Sequence, residues 1–173
     1  MSGPDTSRPD PRQPRPAGRA ERQARSSAAR VYAVQALFQM EAAGESADRV
    51  IAEFRQWRIG RDDEDADVVS VEADEDLFRR ILDDVVNWQS RIDQMTDRAL
   101  VERWPIARID PVLRALFRAA GGELVATGVP ARVVISEYVR IAEAFFPDGR
   151  EPKFVNAVLD HMAREARPDE FAG

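Results

Sequence analysis

Apolar residues recur every three to four positions through most of the chain. That is the period of an amphipathic helix, and no stretch alternates with the period of two expected of a half-buried strand. Val31, Val34, Leu37 and Phe38, with Glu41, trace a first helix from about Glu21 to Ala43, stopped by Gly44. Ser46 or Asp48 caps a second, whose Val50, Ile51, Phe54 and Trp57 repeat until Gly60. The longest signal comes from Phe78, Ile81, Leu82, Val85, Trp88, Ile92, Met95 and Ala99, which share one face from about Asp76 to Glu102. It ends at Trp104-Pro105, because the residue before a proline disfavours helix. Asp110-Pro111 reads as an N-cap followed by proline at the first helical position. Val112, Leu113, Leu116, Phe117, Ala120 and Leu124 carry that helix towards Gly128. Pro130 opens the next, through Val134, Tyr138, Ile141, Ala142 and Phe145. After a turn at Pro147-Asp-Gly-Arg150, a final helix runs from about Pro152 to Glu165 on Phe154, Val155, Val158 and Leu159. The prediction is an all-α chain of six or seven helices joined mostly by short loops, so that neighbours pack antiparallel.

Composition adds boundaries to that pattern. Five prolines and almost no apolar content mark residues 1–20 as a disordered arm; a helical domain follows over 21–168 and a polar tail over 169–173. The net charge of −6 conceals an asymmetry. Residues 1–30 hold seven arginines against three acids, a net of +4, which leaves −10 for the remainder. A basic arm on an acidic body steers a polyanion to one place, although arginine is also simply this chain's basic residue, Lys153 being its one lysine. The acidic insert at about 61–75 lacks the turn glycine and the ligand spacing of a calcium loop and reads as a solvated loop. There is no cysteine, no signal-peptide pattern and no apolar run long enough to span a membrane, so a cytoplasmic location is expected.

Catalytic equipment is scarce. His161 is the one histidine and stands among charged residues, so with no cysteine no His/Cys metal cluster can form. Gly121-Gly122 lies inside an apolar helical pattern rather than between strand and helix, which points to close helix packing and not to a phosphate loop. No catalytic residue, metal site or cofactor site is expected. A DNA-reading helix-turn-helix over Leu113–Ile141 fits poorly, because its second helix offers only Arg132 early and then an apolar face. Single-stranded RNA fits better, since it asks for cations on phosphate, rings for stacking and amides for base edges. The first helix supplies Arg22, Arg25, Arg30 and Phe38; the last supplies Lys153, Phe154 and Asn156. Against this stands the general tendency of phenylalanine to be core.

Three blocks in order resemble one family. Ala29-Arg-Val-Tyr-Ala-Val-Gln-Ala-Leu-Phe-Gln-Met40, Val129-Pro-Ala-Arg-Val-Val-Ile-Ser-Glu-Tyr-Val-Arg-Ile-Ala142 and Lys153-Phe-Val-Asn-Ala-Val-Leu-Asp160 are similar to segments of the NusB family of bacterial antitermination factors. The resemblance covers about residues 20–166. It implies two small packed helical bundles and a non-enzymatic role. It further implies binding to the boxA element of ribosomal RNA leader transcripts together with NusE, a small-subunit ribosomal protein, in an antitermination complex on RNA polymerase. Carried onto matching positions, its RNA face comprises Arg30, Phe38, Arg118, Lys153 and Phe154, with Arg22 and Arg25 as looser matches. Phe38 replaces a usual tyrosine, Ser136 an asparagine and Ala157 a glycine, while Gly121-Gly122 stands where the family commonly has a pattern that favours the middle helix. The alternative to RNA binding is a helical protein–protein adaptor that has lost RNA recognition; a detached helical domain of an RNA methyltransferase is a third and weaker option. The oligomeric state, including a homodimer, and the residues that meet NusE are left open by the sequence.

Overall fold

The computed structural model describes residues 18–57, 59, 72–100, 109–126 and 128–172. Six α-helices and one short 3-10 helix make up the described part, with no strand in it: α1 (Arg19–Ala43), α2 (Ala47–Trp57), α3 (Glu75–Ala99), α4 (Pro111–Val125), α5 (Ala131–Phe145), α6 (Glu151–Ala166) and the 3-10 turn Pro168–Glu170. Most of the basic arm, residues 61–71 of the acidic insert and the predicted stop at Trp104-Pro105 lie outside the described residues.

Local chemistry sets the boundaries. Gly44 ends α1 in the left-handed region at φ 65°, and Ser46 Oγ accepts the amide hydrogen of Arg49 at the start of α2. Asp74 caps α3 by accepting from the Leu77 amide at 3.0 Å; Asp110 caps α4 from the Val112 amide at 2.8 Å, with Pro111 in the first turn. The helix predicted to reach Gly128 stops at Val125.

The packing is arranged around α4, which touches α1, α3, α5 and α6. On one side α1, α2 and α3 enclose Phe54 stacked on Phe78, ring centroids 5.7 Å apart, with the edge of Tyr32 against Phe54. On the other side α4, α5 and α6 bury Leu116, Phe117, Tyr138, Leu159 and Met162. Gly121 and Gly122 let α3 and α4 approach closely: a Cβ at Gly121 would overlap the γ-methyl of buried Ile92, and one at Gly122 would lie 2.9 Å from the γ-methyl of Val85. Gly121→Ala is therefore expected to cost about 1–3 kcal/mol through overpacking, despite the roughly 1 kcal/mol gain in helix propensity. Urea unfolding is the check, and a more stable variant would contradict this packing.

One core assignment needs correcting. Trp88 does not share the buried face of α3; it is 48% exposed and breaks the helix at φ −120°, ψ 18°. At this level Val85 and Ile92 fill the space against the two glycines, and the indole stands outside with the Arg91 guanidinium 6.0 Å from its ring. A heptad-like spacing held Trp88 in register in the sequence; the departure from helical dihedrals at Trp88 itself removes it.

Candidate nucleic-acid interface

The predicted cations separate into three environments. Arg30, on the buried side of α1, is 5% exposed. Its Nε and Nη2 donate to the two carboxylate oxygens of Glu123 at 2.8 and 3.0 Å, and Nη1 lies 3.8 Å from Glu137. Ser27 Oγ donates to Glu137 at 2.8 Å. Burial alone would lower the Arg30 pKa, but the hydrogen bond and charge of Glu123, aided by Glu137, outweigh it and shift it up. Burial, with the negative field of Glu123, likewise pushes the Tyr138 hydroxyl well above the ordinary phenol range, so it stays protonated. Arg30 thus departs from its expected role as a phosphate ligand. Its guanidinium is enclosed between α4 and α5 and holds two carboxylates, because the α1 face that carries it is the one packed against those helices.

Arg118 is the second such case. Its Nε and Nη2 form a two-pronged pair with Asp93 at 3.0 Å each, and Nη1 donates to Glu41 at 3.0 Å. Glu41 is also bound by Arg114, whose hydrogen bond is the main reason the Glu41 carboxyl lies below its usual range. Two carboxylates and two guanidiniums compensate one another here, so Arg118 ties α4 to α1 and α3 instead of presenting an unmatched charge.

The remaining cations face solvent. Arg22 is exposed, Arg25 is half-buried and pairs with Glu72 at 3.0 Å, and Lys153 is exposed on the first turn of α6. Two rings are exposed as well. Phe38 is 40% exposed and Phe154 37% exposed, whereas the other six phenylalanines are buried or half-buried. Phe154 rests edge-on against Phe117, with ring centroids 6.0 Å apart. Phe38 shares an open groove of about 590 Å³ with Val34, Val112, Phe145 and Phe146. Both rings therefore lie against the first half of α4, one reached from α1 and the other from α6. Asn156 is separate from this pair. Two residues beyond Phe154 on a helix, it turns to a different side and lines a groove with Arg132, Ser136 and Arg140 of α5.

Sequence reasoning missed the partners that decide these roles: Glu123, Glu137, Asp93 and Glu41. The available signal was Glu123 and Glu137 standing within the apolar faces of α4 and α5, where a carboxylate needs a buried cation. Among the described residues no helix is long and apolar enough to cross a membrane, and no three metal-ligating side chains cluster.

Comparison with known proteins gives one result. Residues 27–164 match the model of the NusB family. The transcription antitermination protein NusB of Maricaulis maris (strain MCS10) is 50% identical over 145 residues, covering 83% of this chain and 89% of that protein. The corresponding protein of Granulibacter bethesdensis is 48% identical over 151 residues, covering 85% and 92%. Among solved structures, T. maritima NusB matches with a TM-score of 0.66 at 27% identity, covering 84% of this chain and 95% of that one.

Proposed function

The chain belongs to the NusB family of transcription antitermination proteins, and from that premise we propose that it acts as a non-enzymatic, cytoplasmic RNA-binding adaptor. It holds the boxA element of ribosomal RNA leader transcripts jointly with NusE and so joins an antitermination complex on RNA polymerase. The observation that supports this is the exposure of two phenylalanine rings, Phe38 and Phe154, in a chain that buries or half-buries its other six, with Lys153 beside one of them. A ring that keeps part of its surface in water offers a stacking platform to an unpaired base. Arg22, Arg25 and Lys153 take phosphates, while Arg30 and Arg118 hold the helices that present the rings. With so few groups able to read base edges, specificity comes from the joint surface with NusE.

The test is binding of boxA and scrambled RNA at two salt concentrations, with and without NusE. Tighter binding of boxA, enhanced by NusE and falling steeply with salt, is expected. Equal, weak binding of both RNAs in every condition would sink the proposal. Phe38→Ala and Phe154→Ala are each expected to weaken boxA binding by about 1–3 kcal/mol, roughly 5- to 150-fold, with Phe38→Tyr close to wild type. Lys153→Ala should weaken both RNAs alike and reduce the salt slope by about one.

The internal neutralisation of Arg30 and Arg118 favours one second reading, a protein–protein adaptor without RNA recognition. It predicts undiminished NusE binding together with no preference for boxA in the same experiment.

A further inference from the structure

We propose that Glu72 is an internal stand-in for phosphate that holds Arg25 and lowers the affinity of this end of α1 for RNA until a phosphate displaces it. The inference rests on the RNA-binding role proposed above and concerns how the arginine-bearing start of α1 is tuned.

The geometry is unusual for a surface ion pair because the chain two residues after one partner is hydrogen-bonded to the backbone of the other. The amide of Asp74 donates to the Arg25 carbonyl at 3.0 Å, Ala73 is buried at 6% exposure, and Asp74 then caps α3. Residues 72–74 are thus bolted onto α1 at the level of Arg25. The carboxylate of Glu72 is delivered to within 3.0 Å of Arg25 Nη2, while both side chains remain open to solvent, at 43% and 68%. A carboxylate whose chain is tethered two residues away loses less entropy on pairing than a free one. The pair is also accessible, so a phosphate can reach the guanidinium and push the carboxylate aside. This differs from Arg30 and Arg118, whose partners enclose them.

The consequence is a lowered affinity. Every phosphate that engages Arg25 does so with loss of the Glu72 contact, whichever RNA carries it, and the RNA that holds Arg25 most firmly loses the full strength of the ion pair. Because salt weakens the Arg25–Glu72 pair as well as the Arg25–phosphate contact, the exchange contributes less to the salt slope than an unpaired arginine would.

Glu72→Gln keeps the side-chain shape and removes the charge. With the full chain and NusE present, it is expected to tighten binding of boxA RNA by about 1.5- to 5-fold, the range corresponding to an exposed ion pair, and of scrambled RNA by no more than that. Its salt slope should steepen by up to about one. In an Arg25→Ala background the same change should have no effect. Glu143→Gln, which removes an equal charge from the outer side of α5, should tighten neither RNA. Tightening that persists without Arg25, or that Glu143→Gln reproduces, would show a general charge effect and overturn the proposal. Unchanged affinity in Glu72→Gln, in a protein that still prefers boxA, would overturn it as well. Failure of the wild type to prefer boxA instead removes the functional reading on which it rests.

Discussion

Arg30→Ala is expected to destabilise the protein by about 3–5 kcal/mol, a large part of the total stability of a domain this size. The reason lies in what remains after truncation. Glu123 and Glu137 are 5% and 6% exposed, and Arg30 is the cation that meets both. Without it, Glu123 loses its cation in the interior, while Glu137 keeps the Ser27 hydroxyl and the more distant Arg140 guanidinium at 3.9 Å. Glu123 must then take up a proton or draw water into the junction of α1, α4 and α5. Arg30→Lys keeps the charge but loses the two-pronged geometry, and a smaller cost of about 1–3 kcal/mol follows. Urea unfolding followed by helix signal measures both, and because the pair is shielded from solvent the loss should change little with added salt. A stability within 1 kcal/mol of wild type for Arg30→Ala would contradict the buried pair. The same experiment separates fold from function. Loss of RNA binding in Arg30→Ala should accompany loss of stability, whereas Lys153→Ala should lose affinity with stability intact.

The second large effect is expected at Arg167. Its guanidinium donates to the carbonyls of Glu123 at 2.7 Å and Leu124 at 2.9 Å, and also to those of Ala126 and Val129. The last carbonyls of a helix have no partner within it, and here one side chain from beyond α6 satisfies the end of α4 and the loop that follows. Arg167 also pairs with Glu170 at 3.0 Å, and Glu170 accepts the Ala131 amide at 3.1 Å at the start of α5. The Ala131 amide is the main reason the Glu170 carboxyl lies below its usual range, and Arg167 adds to it. Residues 167–170 thus join the end of α4 to the start of α5. Arg167→Ala is expected to cost about 2–4 kcal/mol, since several partly buried carbonyls lose a charged donor at once. Faster amide hydrogen exchange should be confined first to the end of α4 and the start of α5. Stability within 0.5 kcal/mol of wild type, with unchanged exchange there, would count against this clasp.

Residues beyond α6 were expected to form a polar tail, and nothing in their composition signals this clasp. Arg167 is one of many arginines, and its acceptors are main-chain carbonyls about 40 residues earlier, which carry no sequence signature. The ring of Phe171, placed between the guanidiniums of Arg132 and Arg164 at 5.3 and 4.8 Å, was equally invisible. The glycine pair was legible, by contrast, because a small residue at two successive positions of an apolar helix has few purposes other than close approach. The exposure of Phe38 and Phe154 was half legible. Phenylalanine at helical spacing argues for the core, and only the motif blocks around these two pointed outwards.

What the sequence determined by itself is local: the all-helical class, the approximate position of each described helix, the cap at Asp110, and Ser46 as one of two candidate caps for α2. Each depends on neighbours within about four residues, and a hydrogen bond across one helical turn is the same wherever the helix packs. The tertiary structure decided which charges are available. Arg30 and Arg25 stand five residues apart on one helix and look alike in the sequence. Yet Arg30 meets a carboxylate 93 positions away in the interior, while Arg25 meets Glu72 at the surface. Burial and pairing between distant segments exist only once the helices have packed, and they turn one arginine into a structural tie and leave the other open to exchange.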